Sequence, residues 1–144
     1  MAWPVRDLGA FLKGEWRLSR RIRDLRLMLR GQLDGHASVT VMTKGLLLSE
    51  TGRLAFGEHV SDASQRYRII FGSECAQVFR ADGSRFHDLD LSSGTARILH
   101  HCGEDLYRGR YRVTDDDHYS VGWRVIGPRK NYRMASLYSR VTLP

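Results

Sequence analysis

Cysteine, lysine and proline are all scarce in this sequence, and each scarcity narrows what the chain can do. The only cysteines are Cys75 and Cys102, with no CxxC spacing to hold zinc or cycle a disulfide. In a reducing compartment both are expected to be free thiols. Pro/Ser-rich linkers, low-complexity tracts and long-period repeats are missing. No apolar run approaches the length of a membrane span. The N-terminus MAWPVRDLGAF carries Arg6 and Asp7 where a signal peptide needs an apolar stretch, so a cytoplasmic protein is expected. Paired catalytic carboxylates, a Ser-His-Asp arrangement and a glycine-rich dinucleotide loop are absent as recognisable motifs.

The charge is one-sided. The net value is +7, and among the 23 basic residues only Lys13, Lys44 and Lys130 are lysines. A basic protein can meet nucleic acid, an anionic membrane or an acidic ligand. An arginine excess also follows from GC-rich coding without any function. The densest run is Arg17, Arg20, Arg21, Arg23, Arg26 and Arg30. No recognition helix or RNA-binding signature accompanies it, which favours a solvated face over a nucleic-acid partner. The 144 residues suit a single domain over 1–144, which buries roughly two-thirds of its unfolded surface and so has room for one core or one internal cavity.

Turn signals recur at short intervals: Asp34-Gly35, Lys44-Gly45, Thr51-Gly52, Gly72-Ser73, Asp82-Gly83, Ser93-Gly94, Cys102-Gly103 and Gly127-Pro128. Between them, apolar and polar residues alternate. Tyr107, Gly109, Tyr111 and Val113 interleave with Arg108, Arg110 and Arg112; Tyr119, Val121, Trp123 and Val125 interleave with Ser120, Gly122 and Arg124. Successive strand residues face opposite sides, so each strand has one buried aromatic face and one wet, largely arginine face. The pattern predicts about ten strands, at 15–24, 32–42, 45–51, 54–60, 66–72, 75–80, 85–91, 95–102, 105–114, 118–127 and 131–142, with 45–51 and 54–60 able to merge into one hairpin. Val5–Lys13 is the one credible helix, with Pro4 at its first turn. Residues 25–30 fit a strand, a helix or an exposed apolar flap. Many strands and little helix leave edges that closure removes, which predicts an all-β, antiparallel up-and-down barrel of about 8–10 strands with space for side chains or one small ligand.

Gly14-Glu15-Trp16 opens the first strand after the short helix, and Arg140 lies on the last. This resembles the lipocalin (calycin) signature, which implies that the Trp16 indole packs at the closed barrel end under the Arg140 guanidinium, a cation–π contact. Four longer patterns extend the likeness: Phe11-Leu12-x-Gly14-x-Trp16-x-Leu18-x-Arg20, Asp82-Gly83-x-Arg85-Phe86-His87, His100-x-Cys102-x-x-Asp105-x-Tyr107, and Gly127-Pro128-Arg129-Lys130-x-Tyr132. Together they resemble a bacterial family of short lipocalin-like proteins of unknown function. Asn131 stands where that resemblance leads one to expect Asp. The likeness implies a fold and carries no activity.

Residues 98–107 hold the richest chemistry. Alternation places His100 and Cys102 on the face of Ile98, hence inward, with Asp105 and Tyr107 on the next strand. A Cys–His pair can form a nucleophile when the thiol pKa is lowered. His100 and Cys102 with His87 can hold a metal. Alternatively, a buried histidine hydrogen-bonds to Asp105 or Tyr107 for structural reasons alone; this last reading is the simplest, and no metal is assigned. His87, between Phe86 and Leu89, is a candidate cavity residue. Haem ligation by one of His36, His59, His87, His100, His101 or His118 is conceivable in a barrel, but no haem motif singles one out, so the cofactor is left unknown. Arg129 and Lys130 form a cationic loop suited to a carboxylate or phosphate at the barrel mouth. Tyr67, Tyr107, Tyr111, Trp123, Tyr132 and Tyr138 fall on inward faces, and several interior hydroxyls suggest a semi-polar cavity. Arg20 shares the face of Trp16, Leu18 and Ile22 and needs a carboxylate, for which Glu50 is a candidate.

These residues favour a barrel that binds a small, partly aromatic or anionic molecule. An enzyme using His100, Cys102 or Asp105 inside the same cavity, and an interaction protein using the arginine-rich outer face, are the competing readings. A homodimer is compatible with the sequence.

Overall fold

A computed structural model describes residues 2–142. A short helix, α1 (Leu8–Leu12), precedes ten strands. The first five are β1 (Gly14–Asp24), β2 (Leu29–Met42), β3 (Gly45–Phe56), β4 (His59–Phe71) and β5 (Ala76–Arg80). The rest are β6 (Arg85–Leu89), β7 (Thr95–Cys102), β8 (Asp105–Asp115), β9 (His118–Ile126) and β10 (Asn131–Arg140). All pair antiparallel in the order β6-β5-β4-β3-β2-β1-β10-β9-β8-β7. First and last strands meet, with Trp16 opposite Arg140, so the sheet curls into an up-and-down barrel. β6 and β7 end the order and share no ladder, which leaves one seam. The alternation seen in the sequence sets the inside: Trp16, Leu18, Val113, Tyr119, Val121 and Val125 are all buried.

Two expected turns are absent. Asp34-Gly35 and Thr51-Gly52 lie inside β2 and β3, where Gly35 pairs with Gly52. A Cβ on Gly35 would stand 2.1 Å from the Thr51 carbonyl oxygen, and one on Gly52 would stand 2.6 Å from that of Asp34. The glycines permit a close backbone approach rather than a reversal. Consequently 45–51 and 54–60 do not form a hairpin of their own: the first belongs to β3, and the chain reverses at Gly57-Glu58 within the second. The helix is shorter than Val5–Lys13 because the Asp7 side chain caps it, accepting from the Ala10 amide at 3.1 Å. Residues before it are extended: the Trp3 amide donates to the Val113 carbonyl and the Val5 amide to that of Leu91. The N-terminal segment thus bridges the seam at the lower end. Residues 25–28 are a tight turn, with the Asp24 carboxylate accepting from the Arg26 and Leu27 amides.

The lower end is closed by α1 and an aromatic layer. The Trp16 indole donates to the Leu12 carbonyl at 2.8 Å and meets the Tyr119 ring edge-on at 4.9 Å. Tyr119 stacks on Tyr138 at 4.3 Å. The Arg140 guanidinium lies 4.2 Å over the Trp16 ring. Its nitrogens donate to the Phe11 and Asp116 carbonyls at 2.7 Å each, and to that of Lys13 at 3.3 Å.

Arg140→Ala removes this lock and is expected to destabilise the fold by about 3 kcal/mol, given charged hydrogen bonds of roughly 1.5–3 kcal/mol and a cation–π contact of roughly 1 kcal/mol. Arg140→Lys restores only part of it, since an ammonium cannot fork to several carbonyls while lying flat on an indole. Urea unfolding of the three proteins checks the order wild type, Lys, Ala.

Candidate functional site

Above the aromatic floor, β1, β3 and β10 contribute a buried polar cluster. The Arg20 Nη2 donates to Glu50 Oε1 at 2.9 Å and to the Tyr138 hydroxyl at 3.2 Å, and its Nε donates to the Ser136 hydroxyl at 2.7 Å. The Tyr138 hydroxyl donates to the other Glu50 oxygen. Glu50 is only 4% exposed, and Arg20 and the Tyr138 hydroxyl engage its two oxygens, as a buried carboxylate requires. Tyr138 and Glu50 outweigh the burial that opposes the Arg20 charge, and its pKa is raised. The cluster is internally neutral, so Arg20 is matched by Glu50 before any acidic ligand arrives.

Over this cluster is a cavity of about 240 Å³. Its upper wall is aromatic: Tyr67, Phe86, Tyr107, Tyr111, Trp123 and Tyr132 all line it. Phe86 stacks on Trp123 at 5.0 Å and meets the Tyr107 ring edge-on at 5.9 Å. Trp123 reaches its place because β8 has a glycine beneath the ring; a Cβ on Gly109 would stand 2.6 Å from the indole. Burial, with the Glu50 charge adding to it, pushes the Tyr67 hydroxyl up to about 12, and burial raises Tyr111 further still, so both remain protonated.

His87 also lines the cavity and is buried. Its Nδ1 lies 2.8 Å from the Asp88 carbonyl oxygen, which can only accept, so Nδ1 carries the proton. That leaves Nε2 as an acceptor, 3.5 Å from the Tyr111 hydroxyl. Burial holds the imidazole below its usual pKa; the Asp88 carbonyl works the other way, and His100 and Arg80 add to the lowering.

Not all the residues singled out in the sequence converge. His87, Tyr107, Tyr111, Trp123 and Tyr132 share the cavity. His100 is half-buried beside the seam, 5.3 Å from the Phe86 ring, with no hydrogen bond to Asp105 or Tyr107. Its pKa is lowered by desolvation and then by Arg80. Cys102 does not point into the interior: it is exposed, and its polar neighbour is Arg80 Nη1 at 4.0 Å. Asp105 pairs with Lys130 at 3.2 Å, and Lys130 also donates to the Tyr107 hydroxyl at 3.3 Å. Lys130 therefore finds its carboxylate on β8, although Asn131 replaces the acid expected beside it. Arg129 is exposed, and its carbonyl accepts from Arg26 Nη1 at 2.7 Å. Neither Arg129 nor Lys130 lines the cavity. No nucleophile–base pair forms from His100, Cys102 and Asp105. Among the described residues no three His, Cys, Asp or Glu side chains are grouped to hold a metal. His36 pairs with Glu15 and His118 with Asp115 on the outside.

Besides the Glu50-paired Arg20, the cation that lines the cavity is Arg80, at the end of β5. Its guanidinium lies 4.3 Å from the Phe86 centroid and 5.6 Å from that of Tyr107. Ion pairs among the described residues leave Arg80 without a carboxylate. The alternation Ala76, Val78, Arg80 would have found it, since it puts Arg80 on the inward face. Arg80 stands where the barrel is least complete. β5 pairs only with Tyr67–Phe71 of β4, so residues 59–66 rise above it unpaired on that side.

No curated protein matches the chain. An S-type phycobiliprotein lyase, CPES, from Guillardia theta is similar in structure with a TM-score of 0.66 at 11% identity, over 99% of this chain and 95% of the lyase. A protein of unknown function from the DUF3598 family of Nostoc punctiforme aligns with a TM-score of 0.55 at 14% identity, over 97% of this chain but only 51% of its own. A de novo designed fluorescence-activating β-barrel aligns with a TM-score of 0.53 at 12% identity, over 95% of this chain and all (100%) of the design. Identities this low establish a common barrel architecture, not a common ligand. At the level of sequence, residues 12–140 match the family of unknown function DUF6314, and the chain belongs to that family.

Proposed function

We propose that this protein binds one small, partly aromatic organic anion inside the barrel, with its ring against Phe86 and Trp123 and its charge on Arg80. The observation that carries this reading is a cavity with an aromatic wall, a neutral acceptor at His87 Nε2, and an arginine free of carboxylate partners at its rim. A polar cavity built only for stability would pair its charges internally, as Arg20 and Glu50 do. Arg80 instead lies over aromatic faces, where a guanidinium can fork onto an incoming carboxylate. At about 240 Å³ the cavity is below the ~300–1,000 Å³ usual for drug-sized ligands, so the guest has one or two rings rather than four. Barrels of this architecture include one named as a phycobiliprotein lyase and one designed for fluorescence activation, so the scaffold is compatible with small-molecule work. Tyr107, Tyr111 and Tyr132 offer hydroxyls to the ligand, and His100 borders the access from the seam.

Two predictions test this. 2-Naphthoate is expected to bind with one-to-one stoichiometry by calorimetry, and Arg80→Gln to weaken it about tenfold while leaving 2-naphthalenemethanol unaffected, as the loss of one charge-assisted hydrogen bond requires. Val121→Trp, which fills the cavity, abolishes both. Undiminished naphthoate binding in Arg80→Gln refutes the anion assignment, and undiminished binding in the filled barrel refutes the cavity itself. The second concerns pH. The His87 pKa is lower folded than unfolded, so below about pH 6.5 the unfolded chain takes up the proton first and stability falls as pH drops; above that value its contribution is complete. His87→Gln is therefore expected to flatten the decline of the urea midpoint between about pH 7 and pH 5, with a residual slope from His100 and other groups.

A further inference from the structure

The outer face carries a second arrangement that the cavity does not use. Strand register sets arginines directly opposite one another near the mouth end: Arg30 faces Arg23, Arg23 faces Arg133, Arg133 faces Arg124, and Arg124 faces Arg108. One side-chain step toward the closed end, Arg110 faces Arg97 on one side and Gly122 on the other, and Ala135 faces Arg21. The two rows wall a trough of about 1230 Å³ that holds eight arginines and no carboxylate. Like charges directly opposite in a sheet are destabilising. Arg124 Nη1 is buried without a hydrogen-bond partner. A guanidinium nitrogen taken from water and left unmatched wants an anion.

The hairpin tip above this trough is apolar. Leu27 and Met28 of the β1–β2 turn are 60% and 78% exposed, and Leu29 follows at 37%. Met28 has φ 56, in the left-handed region where glycine or asparagine is the economical residue. Neither burial nor backbone preference explains a methionine there. The tip is anchored, since the Leu25 amide donates to the Asn131 carbonyl and Arg26 to that of Arg129. It therefore projects beside the β9–β10 loop, where Ile126 is 45% exposed.

We propose that this edge of the mouth docks on an anionic phospholipid bilayer, with Leu27 and Met28 in the interface and headgroup phosphates on the arginine rows. Arg23 and Arg30 lie one residue inside the turn-side ends of β1 and β2, within reach of headgroups for a snorkelling side chain. Arg26 and Arg129 add cations at the tip. Glu58 and Glu104 lie in the β3–β4 and β7–β8 turns, which flank the trough on either side, so the contact centres between them, on the β1–β2 and β9–β10 turns. Nucleic acid shares the phosphate chemistry, but it gives Leu27 and Met28 nothing to enter, and the one aromatic residue that borders the trough, Trp123, turns its ring inward onto Phe86, where bases could not stack on it. The docking proposal does not rest on a cavity ligand.

Vesicle flotation of the full chain tests it. The protein is expected to float with vesicles of phosphatidylcholine and phosphatidylglycerol, not with phosphatidylcholine alone, and to be released by salt. Leu27→Ser/Met28→Ser is expected to lower the partition coefficient about tenfold or more, as loss of two buried apolar side chains dictates. Arg23→Gln and Arg133→Gln each lower it about fivefold. Both arginine variants relieve like-charge pairs and keep their circular dichroism. The filled-cavity variant Val121→Trp floats like the wild type, which separates docking from ligand binding. Failure of the wild type to float with anionic vesicles overturns the proposal. So does full flotation of the Leu27/Met28 variant, and so does salt-sensitive binding of oligo(dT) by a protein that ignores the vesicles, an outcome that assigns the rows to nucleic acid.

Discussion

The Arg140 guanidinium ties the end of α1 and the β8–β9 turn to the meeting of the first and last strands. It lies flat on the Trp16 indole while its nitrogens reach the end of α1 and the β8–β9 turn. An antiparallel barrel satisfies backbone groups along its walls, but its ends are open cylinders that side chains must seal. Here the seal is aromatic below, where Phe11, Trp16 and Tyr119 meet, and cationic outside. Only because that end is closed can the space above the Arg20–Glu50 cluster be a pocket rather than a pore. Removing one member of such a buried ion pair typically costs about 3–5 kcal/mol, so the cluster fixes which residues may line the cavity above it.

The incompleteness of the barrel is equally consequential. β5 and β6 are five residues each, too short to cover the longer β4 and β7 on either side. Their shortness leaves the seam between β6 and β7 and places Arg80, Phe86 and His87 at its margin. The N-terminal segment covers the lower part of the gap by backbone hydrogen bonds to Leu91 and Val113. The upper part has only side chains, and these are the aromatic and cationic groups that a ligand would meet.

The barrel was largely legible because its strongest signal is a period of two. Tyr107, Tyr111, Val121 and Trp123 declare their inward face by alternating with arginine and serine, and a period-two pattern survives without knowledge of strand partners. Other features depend on those partners. Glycine serves a reversal or a close approach equally well, and only the pairing of Gly35 with Gly52 tells which. Cys102 obeys the alternation but lies at the end of β7, where the inward face has passed the rim and meets solvent. Arg80 was hidden by chemistry: its alternation with Ala76 and Val78 is regular, yet a guanidinium reads as surface unless the aromatic rings that shelter it are known. Lys130 reaches Asp105 only through the juxtaposition of the β9–β10 loop with the start of β8.

The outer arginines pose a different problem, since alternation says merely that they face water. Register is what makes them unusual. An arginine-biased composition scatters cations over wet faces, and a sheet under selection for stability alone would place a carboxylate or a hydroxyl opposite each. In this barrel each step from Arg30 through Arg23, Arg133 and Arg124 to Arg108 sets like against like, at a cost of a few tenths of a kcal/mol or more per pair. An anion that binds across the rows turns each of those repulsions into shared attraction, and one that also welcomes Leu27 and Met28 must have an apolar layer beneath its phosphates. In the strand order the β6–β7 seam, beside which Arg80 and His87 stand, is farthest from the edge that carries Leu27 and Met28, so a barrel seated there would keep this access clear of the bilayer yet close to a surface where an amphipathic aromatic anion itself concentrates.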